Sequence, residues 1–273
     1  MNRAHIRHVE GPRTGIDWIT RAGESELDTG IDFGLLRLSA GERVDLTSAL
    51  ESAALLLEGA VRFRWDGGER LAERHSLFEE EPIALHVPRD SRVELVAESA
   101  AELAIFRTAN GRSFEPKLFD GSNMLMSEHR AKGKLDDTTY RLVRTIFDDR
   151  NRPEANLVLG EVVHLPGRWS STPPHHHPQT EIYHYRFAPE QGYGHGELGE
   201  DVVKVRHRDS VKILEGNDHA QVAAPGSAMW YLWVIRHLPE ARYSVPEIGE
   251  EHRWMLDAPT WSPSWRITDG KVQ

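Results

Sequence analysis

Cysteine is absent from the 273 residues, which excludes a disulfide framework, a thiolate nucleophile and any cysteine-held metal. That absence fits a reducing cytoplasm. Nor does the chain anywhere run to about 18 consecutive apolar residues, the length of a bilayer-spanning helix. Its start, Met1-Asn2-Arg3-Ala4-His5-Ile6-Arg7-His8, has no apolar signal core. The chain therefore reads as soluble and cytoplasmic, with no membrane partner. Positive charge is also in deficit, with 33 Lys and Arg against 43 Asp and Glu and a net charge of −10. With no basic stripe to neutralise phosphates, nucleic acid is excluded as a partner. An anionic substrate gains nothing from so negative an overall field, so any pull on one must come from local cations or a bound ion.

Helical periodicity is nearly missing as well, and period-two alternation takes its place. Val61, Phe63 and Trp65 alternate with Arg62, Arg64 and Asp66 before Asp66-Gly67-Gly68, which predicts a half-buried strand entering a turn. Val203, Val205 and His207 alternate with Lys204, Arg206 and Arg208 in the same way. Residues 229–235 are continuously apolar, as expected of a strand buried on both faces. Short strands punctuated by Gly, Pro and Asp predict an all-β sandwich or barrel.

The second half repeats the beat of the first. Leu36-Arg37-Leu38-Ser39-Ala40-Gly41 parallels Val162-Val163-His164-Leu165-Pro166-Gly167, and the stretch from His86 to Val93 parallels that from Lys212 to His219; the paired positions stand 126 apart. This predicts one barrel over residues 1–110, a crossover over 111–150 and a second barrel over 151–246. A tail over 247–273 carries Trp254, Trp261 and Trp265 and must pack on a barrel or on another subunit, the latter making a homo-oligomer.

The chemistry concentrates in the second half, at Thr172-Pro173-Pro174-His175-His176-His177-Pro178-Gln179-Thr180-Glu181 and Leu214-Glu215-Gly216-Asn217-Asp218-His219. A histidine triplet flanked by prolines is, taken alone, often a solvated loop. With Glu181 and His219 it offers three imidazoles and a carboxylate, a set that binds a divalent first-row ion and leaves positions open for substrate. Alternation along an extended chain points His175, His177 and Glu181 one way and His176 the other. Tyr183, Tyr185 and Phe187 share the parity of Glu181, so the carboxylate should sit in an aromatic-lined cavity. Shifting the four ligands back by 126 lands on Ala49, Glu51, Leu55 and Val93, which predicts a first barrel without a site.

These residues resemble the cupins, whose motifs are His-x-His, a short gap and Glu, then Pro-x-Gly-x-x-His. Here Leu214 stands in place of the proline. The wording of residues 167–175 and of Glu181-Ile182-Tyr183-His184-Tyr185-Arg186, with Ala224-Pro225-Gly226, Trp230-Tyr231-Leu232 and Glu251-His252-Arg253-Trp254, is similar to the 5-deoxy-glucuronate isomerase family of inositol breakdown. The resemblance implies a bicupin of two tandem jelly-roll barrels, a divalent metal, zinc before manganese or ferrous iron, and a sugar acid as substrate. It implies an aldose-to-ketose isomerisation in which Glu181 serves as ligand and catalytic carboxylate. His195, on the segment leading to the barrel mouth, is the candidate base, and Tyr183, Tyr185, Tyr231 and Arg206 are candidates for holding substrate. Three alternatives stay open: the related isomerase acting on 5-keto-4-deoxyuronate from pectin, a cupin oxygenase, and a non-catalytic sugar-binding module.

Overall fold

In the computed structural model the described residues are 2–8, 15–24, 26–214, 216–257 and 267–272. The alternating segments pair as antiparallel strands that build two barrels. The broad sheet of the first runs in the order Lys117–Phe119, Ile83–Val87, Glu51–Trp65, Ala101–Thr108, Asp32–Leu38, Gly15–Thr20. Glu51–Trp65 serves both layers of that barrel, because its second half leaves this sheet to pair with Gly68–Arg74 and Val93–Ala97. The corner falls where the register shifts between Leu56 and Glu58. Gly59 there has φ +94°, and a Cβ would lie 2.2 Å from the Ala100 carbonyl oxygen, so only glycine fits.

The second barrel has one sheet in the order His5–Ile6, Ser210–Ile213, Glu181–Ala188, Ala228–Arg236, Leu157–His164, Arg141–Phe147, Glu128–Arg130. Facing it are Asp201–Arg206, Tyr193–Leu198, His219–Ala223, Trp169–His176 and Glu247–Ile248. The repeat is carried in the strands: Gly15–Thr20 and Arg141–Phe147 begin 126 residues apart, as do Val93–Ala97 and His219–Ala223.

Three apolar cores follow from this arrangement. One fills the first barrel, with Leu36, Leu56, Phe63 and Leu95. A second fills the other barrel, with Tyr183, Tyr185, Val205 and Tyr231. The third lies between the two broad sheets and joins Phe33, Leu55 and Phe106 to Leu157, Ile182, Trp230 and Leu232. This explains the unbroken apolar run of Ala228–Arg236, whose Met229 and Tyr231 face the inside of their barrel while Trp230 and Leu232 face the neighbouring one. A buried ionic bridge spans the same interface: Glu161 Oε1 accepts from Arg74 Nη2 at 2.7 Å and from Arg144 Nη1 at 2.8 Å.

The crossover between the barrels supplies strands to both. Lys117–Phe119 completes the first barrel's sheet, whereas Glu128–Arg130 and Arg141–Phe147 belong to the second. The amino-terminal strand His5–Ile6 also pairs with the second barrel, at Ser210–Ile213, and not with the first. Strands of two or three residues are too short to show a period, so pairing alone reveals them. At the other end, Glu247–Ile248 pairs with His175 and His176, laying the start of the tail along the histidine strand. Trp254 is 63% exposed, and Trp261 and Trp265 lie outside the described residues. No helix is long and apolar enough to cross a membrane among the described residues.

Glu51, the one position in the first barrel that inherits a ligand type from the repeat, does other work. Its buried carboxylate accepts from His86 Nε2 at 2.9 Å, from Asn110 Nδ2 at 2.6 Å and from the backbone N–H groups of Asn156 and Leu157. It clamps the first barrel to the start of the second. Among the described residues, the groupings of His and carboxylate that could hold an ion lie only in the second half.

Candidate metal centre and its cavity

The strands Trp169–His176 and His219–Ala223 pair in register at Ser170 opposite Gln221 and again at His175 opposite His219. Four residues on one strand then oppose Ala220 alone on the other, so the chain bulges at Ser171-Thr172-Pro173-Pro174. The bulge lies before His175, so the alternation that sequence parity assumes is interrupted instead by the end of the strand. The strand ends at His176, and His177 is set instead by the turn that follows. Glu181 opens the next strand, which faces them.

Three of the four predicted ligands come together. The donor atoms of His177, Glu181 and His219 all lie within 4.8 Å of one another, and all three residues are buried. His175 stands one step off, its ring edge-on to that of His219 at 4.6 Å between centroids. His176 turns away and donates to Asp218 Oδ1 at 2.6 Å.

The tautomers decide what this cluster can hold. In each histidine Nδ1 faces a backbone carbonyl two residues away: Pro173 for His175 at 3.0 Å, Gln179 for His177 at 2.8 Å, Asn217 for His219 at 3.1 Å. Nδ1 therefore carries the proton, as assigned from these bonds, and Nε2 presents a lone pair. Those lone pairs point at another acceptor. Glu181 Oε2 is 3.3 Å from His177 Nε2 and 3.5 Å from His219 Nε2, and the latter has no hydrogen-bond partner. Two imidazole lone pairs aimed at one carboxylate oxygen in a dry interior repel unless a cation lies among them. Donors spaced this way match those around an ion bound at about 2.0–2.2 Å, so the residues fit a divalent metal. Burial keeps His175 neutral, lowering its pKa to about 4, and drives His219 well below its ordinary value, with the neighbouring histidines adding to the effect. Burial raises the Glu181 carboxyl.

A cavity of about 570 Å³ opens beside the cluster, lined by His175, His177, Glu181, Tyr183, Tyr231 and Trp233 among others. Ser170 Oγ and the Tyr231 hydroxyl are 2.7 Å apart, and Ser171 Oγ and the Tyr183 hydroxyl 3.4 Å. Burial holds both phenols above their ordinary pKa, so they stay protonated and donate. Tyr185 lies deeper and does not line the cavity; its hydroxyl donates to Gln221 Oε1 at 2.6 Å.

Two candidates fall outside. His195 sits on Tyr193–Leu198 with its neighbours Gly194 and Gly196 buried and its own side chain exposed, on the outer face. Arg206 is likewise exposed, alternating with the buried Val203 and Val205. Parity within these strands fixes which residues share a face but not which face is inner. In their place the cavity offers Arg141, Trp233 and Tyr243. Arg141 shares the parity of Val143 and Thr145, which also line the wall, but in a stretch read from sequence as a crossover it had no strand context.

The comparisons with known proteins concern the family and the fold. The family model described as the KduI/IolB family matches residues 8–255. A 5-deoxy-glucuronate isomerase from Geobacillus kaustophilus is 27% identical over 233 residues, covering 78% of this chain and 80% of that protein. The crystal structure of an IolB-like protein from Salmonella typhimurium superposes with a TM-score of 0.75 at 26% identity, over 83% of this chain and 90% of that one. A cupin 2 conserved barrel domain protein from Leptotrichia buccalis, 12% identical, shares the fold with a TM-score of 0.51 over 84% of this chain and 92% of its own. With nearly all of its length matched, a two-barrel cupin architecture and a buried His/Glu cluster in the second barrel, the chain belongs to the KduI/IolB family.

Proposed function

We propose that the protein is a metal-dependent aldose-ketose isomerase that converts 5-deoxy-glucuronate to 5-dehydro-2-deoxy-gluconate in inositol breakdown. The observation that carries this reading is the convergence of two imidazole lone pairs on one buried carboxylate oxygen beside a sugar-sized cavity, in a family whose curated relatives include 5-deoxy-glucuronate isomerases. His177, Glu181 and His219 would hold the ion, with His175 as a fourth ligand. Zinc is the ion chosen here, while manganese and ferrous iron accept the same nitrogen and oxygen donors. When bound, such an ion polarises the sugar's carbonyl and the neighbouring hydroxyl.

The remaining work belongs to the side chains. An aldose becomes a ketose when the carbon next to the aldehyde gives up its proton and the aldehyde carbon gains one, while the neighbouring hydroxyl's proton passes to the aldehyde oxygen. Glu181 uses Oε2 toward the imidazoles, so Oε1 is the atom assigned to carry the proton between the carbons. Tyr183 and Tyr231 are assigned to the substrate hydroxyls, as protonated donors held by Ser171 and Ser170. Val143, Val162 and Trp233 form the apolar part of the wall and keep water from the reacting carbons.

The test is metal analysis of protein purified without added ions, joined to NMR turnover of 5-deoxy-glucuronate and 5-keto-4-deoxyuronate side by side. Wild type is expected to carry an ion and to consume the first sugar, and His219→Ala to lose both properties. Wild type that carries the ion and leaves both sugars untouched overturns the reading.

A further inference from the structure

Among the described residues the cavity wall carries three arginines, and two of them are already neutralised. Arg130 Nη2 donates to Glu128 at 2.7 Å, and Arg150 Nη2 to Asp148 at 2.7 Å. Arg141 differs. It is 6% exposed, its Nη1 donates to the Thr139 carbonyl at 2.8 Å, and among the described residues no carboxylate pairs with it. Its remaining N–H groups have no protein acceptor there either, and the residue lines the cavity. Burial lowers its pKa only to about 10, so it is a cation at neutral pH.

A guanidinium withdrawn from water without an anion is costly to the fold. Such a group persists where a ligand supplies the missing charge, and guanidinium matches carboxylate in a two-pronged, charge-assisted fork. Neither ladder neighbour helps: Arg130 on one side is itself a cation, and His164 on the other is fully buried and pushed down to about 3 by burial and by Arg141 itself, hence neutral. The charge of Glu128 reaches Arg141, but its carboxylate is engaged by Arg130. Arg141 lines the same cavity as His175, Glu181 and Tyr231, which places it in the same space as the ligand cluster. It is nevertheless not beside Glu181. Arg141 shares a ladder row with His164, Met229 and Phe187, and Phe187 lies six residues along the strand from Glu181. The cavity thus presents a carbonyl-binding cluster towards one end and an unpaired, rigidly held cation towards the other.

We propose that Arg141 anchors the carboxylate of the sugar acid and so selects uronates over neutral aldoses at this site. The identity of the sugar rests on the isomerase reading above, whereas the preference for a carboxylate rests on Arg141 alone. Because the protein's net charge of −10 repels anions, this local cation also supplies the attraction that the overall field withholds.

The experiment compares wild type, Arg141→Gln and Arg141→Lys, each checked for folding by circular dichroism and thermal melting. Kinetics use 5-deoxy-glucuronate and its neutral counterpart 5-deoxy-glucose, and calorimetry measures binding of D-glucuronate and D-glucose. In Arg141→Gln the KM for the uronate is expected to rise roughly 10- to 100-fold, the loss of a charged hydrogen-bonded pair, while constants for the neutral sugars stay within about twofold. Arg141→Lys, which keeps the charge without the fork, should fall between, and it decides the matter if the glutamine variant does not fold. A folded variant whose uronate KM stays at the wild-type value overturns the anchor and leaves the isomerase standing. Wild type inert toward the sugars but binding D-glucuronate through Arg141 has the opposite meaning. An equal loss on charged and neutral sugars assigns Arg141 to the fold and also overturns the proposal.

Discussion

Glu161→Gln is expected to loosen the two barrels from one another. The carboxylate is fully buried, and a single oxygen, Oε1, accepts from Arg74 of the first barrel at 2.7 Å and from Arg144 of the second at 2.8 Å. Glutamine preserves the shape and one acceptor oxygen but removes the charge, leaving two buried guanidinium groups facing each other. Breaking a buried ion pair by removing one partner costs about 3–5 kcal/mol. The arginines retain other acceptors: Arg74 donates to the Leu56 and Glu80 carbonyls, and Arg144 to those of Leu77 and Phe78. These hold the guanidinium groups in place and put the loss near the low end, about 3 kcal/mol. In urea unfolding with a slope of about 3 kcal/mol/M this is a midpoint lower by roughly 1 M. The companion variant Arg74→Met, Arg144→Met, Glu161→Leu replaces the triad by apolar groups and should unfold within about 1 kcal/mol of wild type, or later. A shift below about 1 kcal/mol for Glu161→Gln, or a collapse of the apolar triple variant, would refute the argument that an uncompensated buried charge sets the cost.

Two further outcomes bear on the cavity. Gly160→Ala would place a Cβ 2.3 Å from Cζ2 of Trp233, closer than such atoms can stand; overpacking of this kind costs about 1–3 kcal/mol. Trp233 must shift in the cavity wall, so turnover of 5-deoxy-glucuronate should fall together with the melting temperature, and a variant with wild-type turnover would show that the indole has room to move. His195→Ala, by contrast, changes an exposed side chain on the outer face, so kcat and KM should stay within about twofold, surface substitutions of this kind being nearly neutral; a large drop in kcat with unchanged melting would bring His195 back into the chemistry.

Much of the site was legible in the chain because its donors are carried on short local motifs. His175, His177 and Glu181 lie within seven residues of one another, and His219 closes a second motif; type and spacing are enough to nominate them. The duplicated architecture was legible too, since strands that fold alike repeat their apolar beat at a fixed offset, down to the shared start of Gly15–Thr20 and Arg141–Phe147. Alternation likewise separated the faces of Asp201–Arg206 correctly, but it cannot say which face is inner, and so Arg206 and His195 were nominated for a cavity they do not line.

What only the tertiary structure decided depends on contacts between residues far apart in the chain. The bulge before His175 is set by pairing with His219–Ala223, and His175 stands outside the tight group of three. The fate of Glu51 as a clamp, not a ligand, depends on Asn156 and Leu157 arriving from the other barrel. Arg141 is charged and unremarkable in sequence, and becomes a candidate anchor only because folding buries it beside a cavity where, among the described residues, no carboxylate pairs with it. Residue type and local spacing are properties of the chain itself, so the sequence determined the kind of chemistry and the repeated barrel. Burial, pairing and the direction of a side chain arise from long-range packing, so which residues surround the cavity was decided in three dimensions.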